Sequence, residues 1–328
     1  MFRLRTIKGF CSPTRLPLRR ALSSNSGYQQ LPRVRLLEPA LWSLGACSTI
    51  YLGCAAFDVY QDVRRAEAQG WGPSGGGETA TTFEDLEGLG PRRGNPGSVW
   101  DRLASPRERQ AERPEFSEPQ KLTLGVMAVT AGVYLASSAA PGIRVNFAHA
   151  PAGPNNATLL TSVFGHAGLM HLAMNMYGMW WLMPSSARSP TFRENNAHLT
   201  AFYLSSGILS GLAQHATAAW PRRSYAPSLG ASGALFALFG VMGVSFPHTQ
   251  IGILFIPGSL PIGQMMALVA LFDAVGIFVR YGSLRLGHAA HLGGLAVGVG
   301  YAKYGGREKI WRPARKVAFK SMRLLGII

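Results

Sequence analysis

Five stretches of this chain contain no Asp, Glu, Lys or Arg: Pro39–Phe57 (19 residues), Leu122–Ile143 (22), Val145–Ala187 (43), Ala197–Pro221 (25) and Ser224–Phe272 (49). About 20 apolar residues suffice for a helix to cross the hydrocarbon of a bilayer, so the longer windows hold a span plus a loop, or two spans. The charges that remain are segregated. Thirteen of the 16 acidic residues lie between Glu38 and Glu118, and from Lys121 to Lys303 only Glu194 and Asp273 are acidic. A soluble surface carries many charges of both signs, so this half of the chain is unsuited to one. The pattern predicts an all-α membrane protein: one helix at 37–57, a linker, then spans near 122–141, 165–183, 198–218, 230–246, 262–280 and 286–303.

The rest divides by composition. The first 37 residues carry eight Arg or Lys, no acid, and serines at Ser23, Ser24 and Ser26. That mixture reads as a mitochondrial transit peptide, here 1–36, and not as a secretory signal, whose apolar core is missing. Residues 58–120, with 12 acidic and eight basic side chains, read as a polar, mostly disordered linker with a short helix near 99–113. The bundle occupies 121–304, and 305–328 is a basic tail. The formal charge of +16 comes partly from the presequence, and no basic stripe interleaved with aromatics predicts nucleic-acid binding. Three cysteines, Cys11, Cys47 and Cys54, offer neither a disulfide framework nor a metal spacing.

Polar residues inside apolar spans carry the chemistry, because each is costly in lipid and needs a reason. His166, His171, His288 and His291 fall in or at the mouths of spans, and Asn175 shares a helix face with His171. Ser232 sits in Gly230-Ala231-Ser232-Gly233 at the head of the fourth span. There its own backbone N–H is among the unpaired donors of a helix start, a place where an oxyanion can be held. A serine hydroxyl needs a neighbour to take its proton. His291, flanked by Ala290, Gly293 and Gly294, is the base that a close approach of spans four and six would supply. No third carboxylate is in view: Glu194 falls in a loop, and Asp273 sits in mid-span, where pairing with a neighbouring helix or snorkelling explains it. No histidine is followed by glutamate as a zinc protease motif requires, and a lone membrane aspartate cannot form an aspartyl pair. A Ser–His dyad without metal or cofactor is what remains.

Three motifs in this order resemble the rhomboid family of intramembrane serine proteases: His166-x4-His171-x3-Asn175, Gly230-Ala231-Ser232-Gly233, and Ala290-His291-Leu292-Gly293-Gly294-x3-Gly298. The resemblance covers about 121–304. It implies a six-helix bundle in which Ser232 is nucleophile and His291 general base. His171 and Asn175 complete an oxyanion hole with the Ser232 N–H, and His166 belongs to a supporting polar network. The extra helix and presequence are similar to those of mitochondrial (PARL-type) members, a 1+6 arrangement. They imply the inner membrane, a matrix-facing N-terminus, and single-pass transmembrane proteins as substrates within the lipid bilayer. Two departures stand out: the 144–164 loop lacks the Trp-Arg pair of many bacterial members, and Phe236 stands where many relatives have tyrosine. The alternative reading is an inactive scaffold of the same fold that binds membrane helices without cutting them.

Overall fold

The computed structural model describes residues 34–68, 82–88, 116–220, 225–252, 257–279 and 287–328. Residues 1–33 of the presequence anticipated at 1–36, and the short helix anticipated at 99–113, lie outside them. The described chain is mostly helical, its main helices being α1 (Leu37–Ala68), α2 (Phe83–Gly88), α3 (Glu118–Ala139), α4 (Leu169–Ala187), α5 (Asn196–Ala219), α6 (Ser232–Ser245), α7 (Ile262–Phe278), α8 (His288–Lys303) and α9 (Arg312–Leu324). A two-stranded antiparallel pair, Gln250–Ile251 with Leu260–Pro261, bridges α6 and α7.

Local chemistry sets the boundaries. At the head of α3 the Gln120 side chain accepts from the Ser117 N–H (2.8 Å), and Pro119 sits in the first turn, where its missing donor costs nothing. Asn195 caps α5 by accepting from the His198 N–H (2.8 Å). Pro247 follows the end of α6 and Pro261 precedes α7, each barring helix continuation through it. Buried Thr123 and Thr130 donate to the carbonyls of Pro119 and Val126 one turn back, so neither hydroxyl is left bare in an apolar setting.

The surface is more apolar than that of a soluble protein. Large apolar side chains face outward on several helices: Met170, Met174 and Trp181 of α4, and Leu268, Leu271, Phe272, Val275 and Phe278 of α7. Inside lie His198, Ser205, Ser206, Ser210, Asp273 and His288. An outer apolar belt, with the polar groups withdrawn among an apolar core, suits a lipid surrounding. By length and composition α1 and α3 are able to cross a bilayer, and α6 and α7 are shorter apolar helices. Helix α6 is the hub, apolar on every side and packed among Met179, Leu182, Met183, Phe202 and Tyr203.

Helix α1 runs antiparallel to α5. Its approach, residue Arg35, gives its carbonyl to His215 Nε2 (2.8 Å); Cys47 Sγ meets the Ser205 carbonyl (3.7 Å), and Asp58 accepts from Asn195 Nδ2 (3.0 Å). It does not stop at residue 57, where the apolar window ends. Asp58 and Asp62 continue the helix because Arg315 of α9 meets both carboxylates, with Arg315 Nε to Asp58 Oδ2 at 2.9 Å. The basic tail is therefore folded. Around this ion pair α2 docks on α9 through Phe83 and Phe319 (ring centroids 6.0 Å apart), and Trp311 stacks on His198 at 4.6 Å.

Candidate active site

Ser232 is the first residue of α6, and the chain leading to it is fastened to the loop after α3. Ser228 and His149 exchange backbone hydrogen bonds (both 2.9 Å), and the Gly230 N–H donates to the Ser162 carbonyl (2.9 Å). Gly230 has φ +131°, and a Cβ there would lie 2.9 Å from Cε1 and Nε2 of His171. Both the backbone conformation and the approach of the imidazole demand glycine.

Small residues then bring α8 against α6. A Cβ at Gly294 would overlap the Gly233 carbonyl, and one at Gly298 the Ala237 carbonyl. At this separation His291 Nε2 lies 2.9 Å from Ser232 Oγ. The His291 ring is stacked on Phe236, with centroids 4.1 Å apart and planes 6° from parallel. Phe236 comes one turn after Ser232 and so shares its helix face; the stack survives the loss of a tyrosine hydroxyl.

The expectation that no carboxylate reaches this pair is corrected. Asp273 is buried, not snorkelling, and its Oδ1 lies 3.3 Å from His291 Nδ1 and 2.7 Å from His288 Nδ1. A carboxylate oxygen accepts, so each histidine donates from Nδ1; His291 then keeps a lone pair on Nε2 facing the Ser232 hydroxyl. Spacing offered a partial signal, of depth but not of facing. Asp273 lies five residues before the end of α7, and His291 three after the start of α8. Helices joined by a short link run antiparallel, so the two sit at similar depth.

Of the other anticipated residues, His171 lies beside Gly230, where the chain enters α6, with His166 and Asn175 next to it. His171 Nδ1 accepts from the Ala167 N–H (3.4 Å), which puts its own proton on Nε2, the atom against Gly230. His166 packs on His171 with ring centroids 4.9 Å apart. Asn175 is buried one turn beyond His171, and its amide donates to the His171 carbonyl (2.8 Å). That bond uses one of its two N–H groups, and it ties Asn175 to α4 instead of to Ser232.

A second polar chain was not anticipated. His149 Nε2 lies 2.8 Å from His215 Nδ1, and His149 Nδ1 lies 2.8 Å from Thr158 Oγ1. Because the Arg35 carbonyl accepts from His215 Nε2, His215 Nδ1 accepts from His149. Burial, with His215 adding to it, holds the His149 imidazole down at about 4, so it stays neutral. The chain ties the start of α1 to the loop that braces Ser228.

Residues 155–308 match the family model described as the rhomboid domain. The chain is 30% identical over 202 residues to the presenilin-associated rhomboid-like mitochondrial protein of Rattus norvegicus, covering 60% of this chain and 52% of that one. The Homo sapiens protein of the same name is 33% identical over 155 residues (47% and 39%). Rhomboid protein 1, mitochondrial, of Saccharomyces cerevisiae is 34% identical over 150 (45% and 41%). The chain thus spans about half the length of the curated relatives it matches.

Proposed function

We propose that this chain is a mitochondrial rhomboid, an intramembrane serine endopeptidase cutting transmembrane segments of mitochondrial membrane proteins. The observation that carries this reading is the 2.9 Å contact between His291 Nε2 and Ser232 Oγ. Ser232 Oγ attacks the scissile carbonyl while its proton passes to His291 Nε2. Asp273 Oδ1, at His291 Nδ1, keeps the ring in the right tautomer and favours the imidazolium that forms. The oxyanion is held by the Ser232 N–H at the helix start, by His171 Nε2–H, and by the second N–H of Asn175. His291 returns the proton to the leaving amine, and a water then releases the acyl group.

A 14-residue helix covers about 21 Å, less than the roughly 30 Å of hydrocarbon. Ser232 at its head therefore works below the membrane surface. The substrate helix must unwind there, because a helical backbone keeps its carbonyls in internal hydrogen bonds. We assign α1 and α3–α8 as a 1+6 set of spans in the inner membrane. Arg35 and Ser232 lie at the same end of the bundle through the His215–His149–Ser228 connection. With the N-terminus in the matrix, the site opens toward the matrix.

The rival is an inactive scaffold of the same fold. Purified protein in liposomes, given a tagged single-pass substrate, separates the two. Cleavage that disappears in Ser232→Ala supports the protease; an intact substrate with the wild-type chain, captured equally by Ser232→Ala, means a scaffold.

A further inference from the structure

His288 has no part in the mechanism above, yet it is more tightly built in than His291. It is 4% exposed, and its Nδ1 makes the shorter of the two contacts to Asp273 Oδ1, 2.7 Å against 3.3 Å. Helix α7 is shaped to receive it. A Cβ at Gly276 would stand 2.5 Å from His288 Cε1, so only glycine leaves room for the ring, and Phe272 meets it edge-on with centroids 5.4 Å apart. Asp273 and Gly276, three residues apart, share a face of α7, and His288 and His291 share one of α8. The two faces are joined through a single carboxylate oxygen.

A carboxylate on a helix has rotamers to choose from, and in a buried apolar setting it needs donors to hold one of them. The 3.3 Å contact from His291 is too long to do this alone, since hydrogen bonds weaken toward that distance. We propose that His288 is a positioning residue for the cleavage reaction. By donating the short hydrogen bond to Asp273 it fixes Oδ1 where His291 Nδ1 can reach it, and so keeps His291 Nε2 free for the serine proton. This rests on the protease reading. The ring in the Gly276 notch sets the carboxylate, the carboxylate sets His291, and His291 faces Ser232.

The test measures kcat and KM on a single-pass substrate in liposomes for the wild type, Ser232→Ala, His288→Ala, His288→Asn and His288→Gln, with a melting temperature for each. An Asn amide falls near the position of Nδ1, whereas a Gln amide falls near that of Nε2. A positioning role predicts that His288→Ala and His288→Gln lower kcat by about 10–100-fold with KM within about twofold, and that His288→Asn regains most of kcat. Should His288→Ala not fold, the Asn and Gln variants decide, both being polar and of similar size. Equal kcat in those two, or a loss confined to KM, overturns the role of His288. A wild type as inactive as Ser232→Ala overturns the protease reading instead.

Discussion

Gly230 concentrates the constraints of the site in one residue. Its φ of +131° lies outside what a side chain tolerates, and the space a Cβ would fill belongs to the His171 imidazole. Gly230→Ala must therefore distort the loop or push His171 away from Ser232. Backbone strain of this kind costs about 1–3 kcal/mol, and a displacement near 1 Å in a catalytic group costs roughly 10²-fold in rate. Turnover should fall by that order while the protein stays folded, as substrate cleavage and thermal melting in detergent would show. At this scale the sequence was largely legible. Gly230, Ser232 and His291 announce themselves by residue type and by their cost in lipid. Asp273 was visible, and of its two readings the pairing with a neighbouring helix holds while snorkelling does not; that the same carboxylate also reaches His291 depends on which helix faces it. His149 and His215 gave no signal, since a buried hydrogen-bonded histidine and an exposed one look alike in one dimension.

Between helices, α6 and α8 are held together by missing side chains more than by present ones. The carbonyls of Gly233 and Ala237 fill the space above Gly294 and Gly298, which lets the backbones approach as small-xxx-small pairs do in lipid. On the same helix Gly300 faces open space. The same substitution should thus act oppositely at two nearby positions. Gly298→Ala forces the helices apart and should cost about 1–3 kcal/mol, lowering cleavage as well because His291 recedes from Ser232. Gly300→Ala should be neutral, or stabilising by up to about 1 kcal/mol from its better helix propensity. Melting curves of the pair read out the contrast, and a Gly298→Ala protein as stable and active as wild type would refute the packing account. The other glycine pair, Gly207 and Gly211, behaves differently: it receives Val163 and Leu159 from the loop segment. A four-residue glycine spacing marks both pairs as places where backbones can approach closely, but not what they touch.

Across the whole molecule, α1, α2 and α9 form a clamp at the end of the bundle away from Ser232. Arg315 is its centre, with its side chain 10% exposed and that of Asp58 fully buried. Removing one member of a buried ion pair leaves a charge uncompensated and typically costs about 3–5 kcal/mol. Arg315→Ala should lower the melting temperature strongly and loosen α1, with turnover at low temperature little changed because the dyad lies at the other end. A melting temperature like that of wild type would show that the clamp contributes nothing. Composition alone reads 58–120, whose residues 58–68 instead belong to α1, as a solvated linker and 305–328 as a tail, since each is polar when read separately. Their charges are opposite in sign and meet only in three dimensions. By itself the sequence determined that the chain is helical and apolar enough for lipid, and which serine and histidine invite chemistry, because helix length, charge content and helix-start chemistry are local properties. Only the tertiary structure decided that Asp273 stands between His288 and His291, and that α1 is locked to α9. Those are distances between segments far apart along the chain, set by which helix faces pack together.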